Sequence, residues 1–121
     1  MTRSHVLDIY GVNVHLATSK RDWKQLRKEL PFVGKVPKSM GQTQFACTKL
    51  GGIVIQAHLV LWVDINAHAN AASLVDTCAH ESAHAADRIV EWIGHTPMVC
   101  DEPTAYLVGW LTSWMWDGIN A

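Results

Sequence analysis

Residues His80, Glu81, Ser82, Ala83 and His84 spell H-E-x-x-H. On a helix, side chains four apart share a face, so the two imidazoles can reach a single ion. Glu81 projects about 100° around the axis from His80, which can set its carboxylate beside a water on that ion. Two neutral nitrogen ligands, an open coordination position and a base are what zinc-dependent hydrolysis of a peptide bond requires. The motif therefore predicts a Zn2+ cofactor, with His80 and His84 as ligands and Glu81 as the catalytic base.

Such a motif needs a helix beneath it. From Ala71 to Ile93 the chain has no proline and carries small residues around the motif; Asn70 offers an N-cap and Gly94 a C-cap. A second helix is expected to start around Asp101 to Pro103, because proline is tolerated in a first turn, and to run to about Trp116. Catalytic zinc usually takes three protein ligands, so the downstream candidates are Asp87, Glu91, His95, Cys100, Asp101 and Glu102. Asp87 and Glu91 share the histidine face but lie a turn or more beyond it, and His95 requires the connection to fold back. Glu102 is the favoured third ligand, since it opens a helix able to pack antiparallel against the motif helix, and the helix dipole keeps a carboxylate there ionised. Tyr106, four residues later, could hydrogen-bond a ligand or a developing oxyanion; an ordinary core tyrosine accounts for it equally well. His95 shares that oxyanion role as an alternative, and His68, just before the motif helix, reads as a solvated loop histidine.

Two histidines of H-E-x-x-H followed by a glutamate from the next helix resemble the gluzincin class of zinc metallopeptidases. The stretches His80-Glu81-Ser82-Ala83-His84-Ala85-Ala86-Asp87 and Asp101-Glu102-Pro103-Thr104-Ala105-Tyr106-Leu107-Val108-Gly109 are similar to small gluzincin-like proteins encoded by bacteriophages. The similarity spans roughly residues 60–116. Larger gluzincins often place an aspartate four residues after the ligand glutamate, and here Tyr106 stands in that place. The resemblance implies a small zincin-like α+β domain, a peptide or protein substrate, and host-cell cytoplasm as its place of action. It also implies a strand at the rim of the cleft that pairs with an extended substrate, for which Leu59 to Val63 is the natural candidate.

The rest of the chain must build the support. Its 121 residues suit one domain, 1–121. Nearly half of them are hydrophobic, so disorder is not expected. Val6 to Tyr10 and Asn13 to Leu16 read as short strands around a Gly11 turn. Ser19 offers an N-cap to a helix reaching Leu30, with Trp23, Leu26 and Leu30 on one face and Pro31 closing it. Residues 31–42 read as a loop, Phe45 to Leu50 as a strand turning at Gly51-Gly52, and Ile53 to Ile65 as a strand or a bent pair. Strands and one helix first, two helices last, predict an α+β fold with a short N-terminal sheet.

Composition limits the partners. No apolar run approaches the roughly 20 residues that span a bilayer, and the first residues lack the apolar core of a signal peptide, so a cytoplasmic protein is expected. Cys47, Cys78 and Cys100 form no C-x-x-C pair, which argues against a disulfide framework. Lys20, Arg21, Lys24, Arg27, Lys28, Lys35 and Lys38 concentrate positive charge in the first half. The simpler reading is a solvated helix face and a loop, so no nucleic-acid partner is expected from it. The last helix is apolar almost all round, with Trp110, Trp114 and Trp116, which points to the core and leaves room for a homodimer seam. A zinc-binding regulatory module, acting on a host partner or beside nucleic acid, is the alternative to an enzyme.

Overall fold

The structure, a computed structural model, describes residues 2–94 and 101–121. Its elements follow the order β1 (Arg3–Leu7), β2 (Val12–Ala17), α1 (Lys20–Glu29), β3 (Gly41–Leu50), β4 (Ile53–Val63), α2 (Ala71–Trp92) and α3 (Glu102–Ile119). This is an α+β arrangement with one four-stranded sheet, ordered β1-β2-β4-β3. Strands β1 and β2 pair antiparallel, β2 and β4 parallel, and β3 and β4 antiparallel. The parallel β2–β4 pair arises because α1 and the loop after it carry the chain past the β4 position to β3, which runs back antiparallel and delivers it to the start of β4.

Strand β4 shows why the sheet is covered on both sides. Ala57, Leu59, Leu61 and Val63 point into one core with Ala85, Ile89, Leu107 and Leu111 from α2 and α3. Val60 and Trp62 point to the opposite face, where Trp23 and Leu26 of α1 close over them with Val33. Alternate residues therefore face different layers, and the continuous apolar run of β4 is the signature of a strand buried twice. Trp23 and Trp62 meet edge to face at 5.8 Å, and each indole N–H donates to a backbone oxygen, of Gly34 and Ser39 respectively.

Two boundaries and one expected role differ from the sequence reading. The first strand occupies residues 3–7 rather than 6–10. Gly11, at φ 66°, and its N–H bond to the Leu7 carbonyl (2.9 Å) turn the chain early and leave Ile9 91% exposed. Strand β3 begins at Gly41, inside the expected loop, because ten residues pair along β4 with one register shift at Thr48/Lys49. Leu59 to Val63 lie in β4, where Leu59 to Trp62 pair with β2 and β3 at once and Val63 pairs with β3, so this segment is interior and presents no open edge to a substrate. The edge strand beside the motif helix is β3.

Both long helices run on one face in opposite directions. Helix α2 follows β3, with Glu81 at Thr43 and Trp92 at Phe45. Helix α3 runs against β1, with Trp114 at Arg3 and Trp110 at His5. The Arg3 guanidinium donates to the Trp114 carbonyl (2.9 Å) and stacks over its ring at 5.1 Å. Trp110 and Trp114 stack at 5.9 Å, and Trp114 is buried, so much of the indole surface of α3 is absorbed within the fold. Among the described residues no helix is long and apolar enough to cross a membrane.

Candidate metal centre

Helix α2 starts where Asn70 accepts from the Ser73 N–H at 2.9 Å. Cys78, Ser82, Ala85, Ala86, Ile89 and Val90 then form its inward stripe. Small residues at 82, 85 and 86 let α3 approach, and the Ser82 hydroxyl meets the Met115 sulfur at 3.4 Å. This stripe fixes the rotation of the helix, which sends His80 and His84 outward and sets Glu81 at the flank facing β3.

The two imidazoles converge. Their Nε2 atoms lie 3.2 Å apart, with ring planes inclined at 76°. Two Zn–N bonds of about 2.0–2.1 Å at a tetrahedral angle would span about 3.3 Å, so the pair is spaced for one ion. Glu81 behaves differently from its neighbours: its side chain is 8% exposed, against 66% for His80. Its Oε2 stands 4.0 Å from the His80 Nε2. The Thr43 hydroxyl lies 2.8 Å from Glu81 Oε1 and 3.1 Å from the Glu81 carbonyl oxygen, and tethers the carboxylate to β3.

Close approach of β3 makes this tether possible, and Gly41 allows it. A Cβ at position 41 would stand 2.7 Å from the Thr77 methyl and 3.0 Å from both Cγ and Oε2 of Glu81. Thr77 is held in turn. His68 donates from Nδ1 to the Asp64 carbonyl at 2.6 Å, leaving Nε2 to accept from the Thr77 hydroxyl at 2.7 Å. His68 is therefore a strut for the start of α2 rather than a solvated loop residue. Sequence reasoning missed Gly41 and Thr43, since their importance appears only once the β3 register against α2 is known.

The other expected residues lie elsewhere. Glu102 is exposed in the first turn of α3. The Met115 sulfur reaches Ser82, and with the two helices antiparallel Glu102, at the start of α3, lies toward the end of α2. Tyr106 is 71% exposed and lines a cleft of about 300 Å³ with the β1–β2 turn and Trp110. Neither is brought to the histidine pair. The antiparallel packing that favoured Glu102 is the reason: it sets the beginning of α3 against the end of α2, not its middle. Asp87 and Glu91 share a cleft of about 390 Å³ with Thr43, Glu81 and His84. Among the described residues no three of His, Cys, Asp or Glu gather in a group able to hold a metal. His95 and Cys100 lie outside the described residues.

The opposite face of the sheet holds a polar chain that the sequence did not single out. Ser4 Oγ lies 2.9 Å from His15 Nδ1, His15 Nε2 3.1 Å from His58 Nδ1, and His58 Nε2 3.2 Å from Gln56 Oε1. An amide oxygen can only accept, so His58 Nε2 donates to Gln56; with both rings neutral, His15 then donates to His58 and Ser4 to His15. Burial, with His58 alongside and Glu29 opposing, brings the His15 pKa down to about 4, and burial lowers that of His58. The Cys78 thiol is pushed up to about 11 by burial, which makes it unreactive at neutral pH.

No protein family, curated protein or solved structure matches this chain.

Proposed function

We propose that the chain is a zinc-dependent hydrolase of peptide bonds, with His80 and His84 as metal ligands and Glu81 as the general base. The observation that carries this reading is the 3.2 Å Nε2–Nε2 spacing beside a tethered carboxylate. Zn2+ at this pair would supply Lewis acidity and lower the pKa of a bound water to about 7. Glu81 would take a proton at Oε2 from the attacking water and return it to the leaving amine, while Thr43 holds Oε1. The edge strand β3 would accept an extended peptide through its outer backbone groups, next to Glu81. The nitrogen pair and the base fit the ion; the described residues leave its third protein ligand unassigned.

The test is metal analysis followed by cleavage profiling of a peptide library. Wild type is expected to bind one zinc, His80→Ala to lose it, and Glu81→Gln to retain it without hydrolysis. Cleavage by Glu81→Gln would remove Glu81 from the role of base. Glu102→Ala separates two grounds for the third ligand: the resemblance predicts loss of zinc, whereas the position of α3 predicts none. The 66% exposure of the His80 side chain supports a second reading, a zinc-holding interaction module with no walled cleft. Stoichiometric zinc without cleavage of any peptide would favour it.

A further inference from the structure

Helix α1 carries a second surface, on the side of the sheet opposite the histidine pair. Its buried stripe is Asp22, Trp23 and Leu26. Lys20, Arg21, Lys24, Arg27 and Lys28 are all exposed and fall within about 120° of arc on the outward side, at 100° per residue. Among the described residues none of the five is in ion-pair range of a carboxylate. Asp22 is turned inward, accepting from the Thr18 N–H and hydroxyl. Glu29, the exposed acid of the helix, accepts from Gln25 Nε2 at 3.3 Å.

This arrangement works against the helix that bears it. Lys20–Lys24 and Lys24–Lys28 are four apart and Arg21–Lys24 and Lys24–Arg27 three apart, spacings at which like charges repel. Lys20 and Arg21 stand in the first turn, where the helix dipole disfavours cations, while Arg27 and Lys28 stand in the last turn, where it favours them, so the conflict lies in the like-charge spacing and the first turn. The next loop adds exposed Lys35 and Lys38. A local conflict maintained on an exposed face marks a surface shaped by a partner. The chain's net charge is only −1, so the cations do not serve overall solubility.

We propose that the outer face of α1 binds nucleic acid through its phosphodiester backbone. Both apolar residues of α1 that are large, Trp23 and Leu26, are buried, so the face offers nothing for the apolar centre of a protein–protein interface. Nucleic-acid interfaces are polar and strongly positive. Arg21, Lys24 and Lys28 also border an open cleft of about 1000 Å³, whose lining includes the carboxylates Asp22 and Glu29, so the phosphate contacts belong to the cationic arc rather than to the cleft. Contacts of this kind fix position without reading bases, so the binding is independent of sequence.

The test is fluorescence anisotropy of the full chain with a labelled mixed-sequence DNA duplex of about 20 base pairs, from 50 to 200 mM salt. Five phosphate contacts predict a log–log salt slope of about −4.5, which is roughly a 500-fold loss of affinity over that range. Replacing Lys20, Lys24 and Lys28 by Gln is expected to bring the slope to about −2 and to weaken binding at least tenfold at 50 mM salt. Its thermal midpoint should not fall, because the change relieves repulsion. Lys49→Gln, on β3, should bind as wild type. Absence of binding at 50 mM salt, or a slope that the triple variant leaves unchanged, overturns the proposal. Binding of poly-glutamate but not DNA also overturns it, in favour of an acidic protein partner.

Discussion

Gly41→Ala tests how the candidate base is held. The φ angle at Gly41 is not in the left-handed region, so alanine meets no backbone penalty and the effect is steric. The added methyl would meet the Thr77 methyl at 2.7 Å and Glu81 Cγ and Oε2 at 3.0 Å. Neither neighbour yields cheaply: the Thr77 hydroxyl is held by His68 at 2.7 Å, and Glu81 Oε1 by Thr43 at 2.8 Å. Overpacking of this kind costs about 1–3 kcal/mol, of which the stiffer unfolded chain returns about 0.4–1 kcal/mol. The net loss, about 0–2.6 kcal/mol and centred at about 1.3 kcal/mol, corresponds at its centre to a midpoint lower by roughly 4–8 °C for a chain of this length. The same clash pushes the Glu81 carboxylate away from β3. Under the proposed function, hydrolysis should therefore fall by more than stability explains, with zinc content unchanged, since His80 and His84 face outward. Thermal denaturation, zinc analysis and kcat/KM measured well below the midpoint are the assays. An alanine variant with wild-type midpoint and activity would refute the packing argument. Loss of zinc together with activity would refute the separation of base from ligands.

Two further predictions concern the opposite side of the sheet. The folded His15 pKa of about 4 lies below the ordinary 6.5, so the unfolded chain takes up a proton that the folded chain refuses between those values. The corresponding stability is fully present above pH 6.5 and is lost as pH falls toward 4; the full shift is worth at most about 3 kcal/mol, and about 2 after allowing for partial exposure. Urea midpoints measured from pH 7.5 to 4.5 should fall, with a shallower fall in His15→Gln; identical pH profiles would count against the neutral chain. Ser19→Ala removes the hydroxyl that accepts from the Asp22 N–H at 3.1 Å and should cost about 1 kcal/mol, read as a lower urea midpoint.

Legibility in the sequence tracks the range of the interactions involved. Helix α2 and its Asn70 cap were readable because caps, proline-free runs and 3.6-residue periodicity are local properties. So was the turn at Gly51-Gly52, where both residues take positive φ. Strand β1 was displaced because alternation extends through Asp8 and Ile9, and only the turn closed onto Leu7 removes them from the sheet. The rim strand was misplaced for a related reason. A run as apolar as Leu59 to Val63 is what burial on both faces requires, so the strand most visible in the sequence is the one least able to accept a substrate. Strand β3, with Gln42, Thr43 and Gln44, is quiet by the same logic: an edge strand buries less and writes a weaker pattern. The site divides along this line. The spacing of His80 and His84 is a property of one helix and can be read from five letters. The support of Glu81 by Gly41 and Thr43, and the distance of Glu102 and Tyr106 from the pair, depend on how β3 and α3 dock, which residue spacing does not encode. A helical motif thus specifies the direction of its own side chains, while the groups that complete it come from elements whose register must be known first.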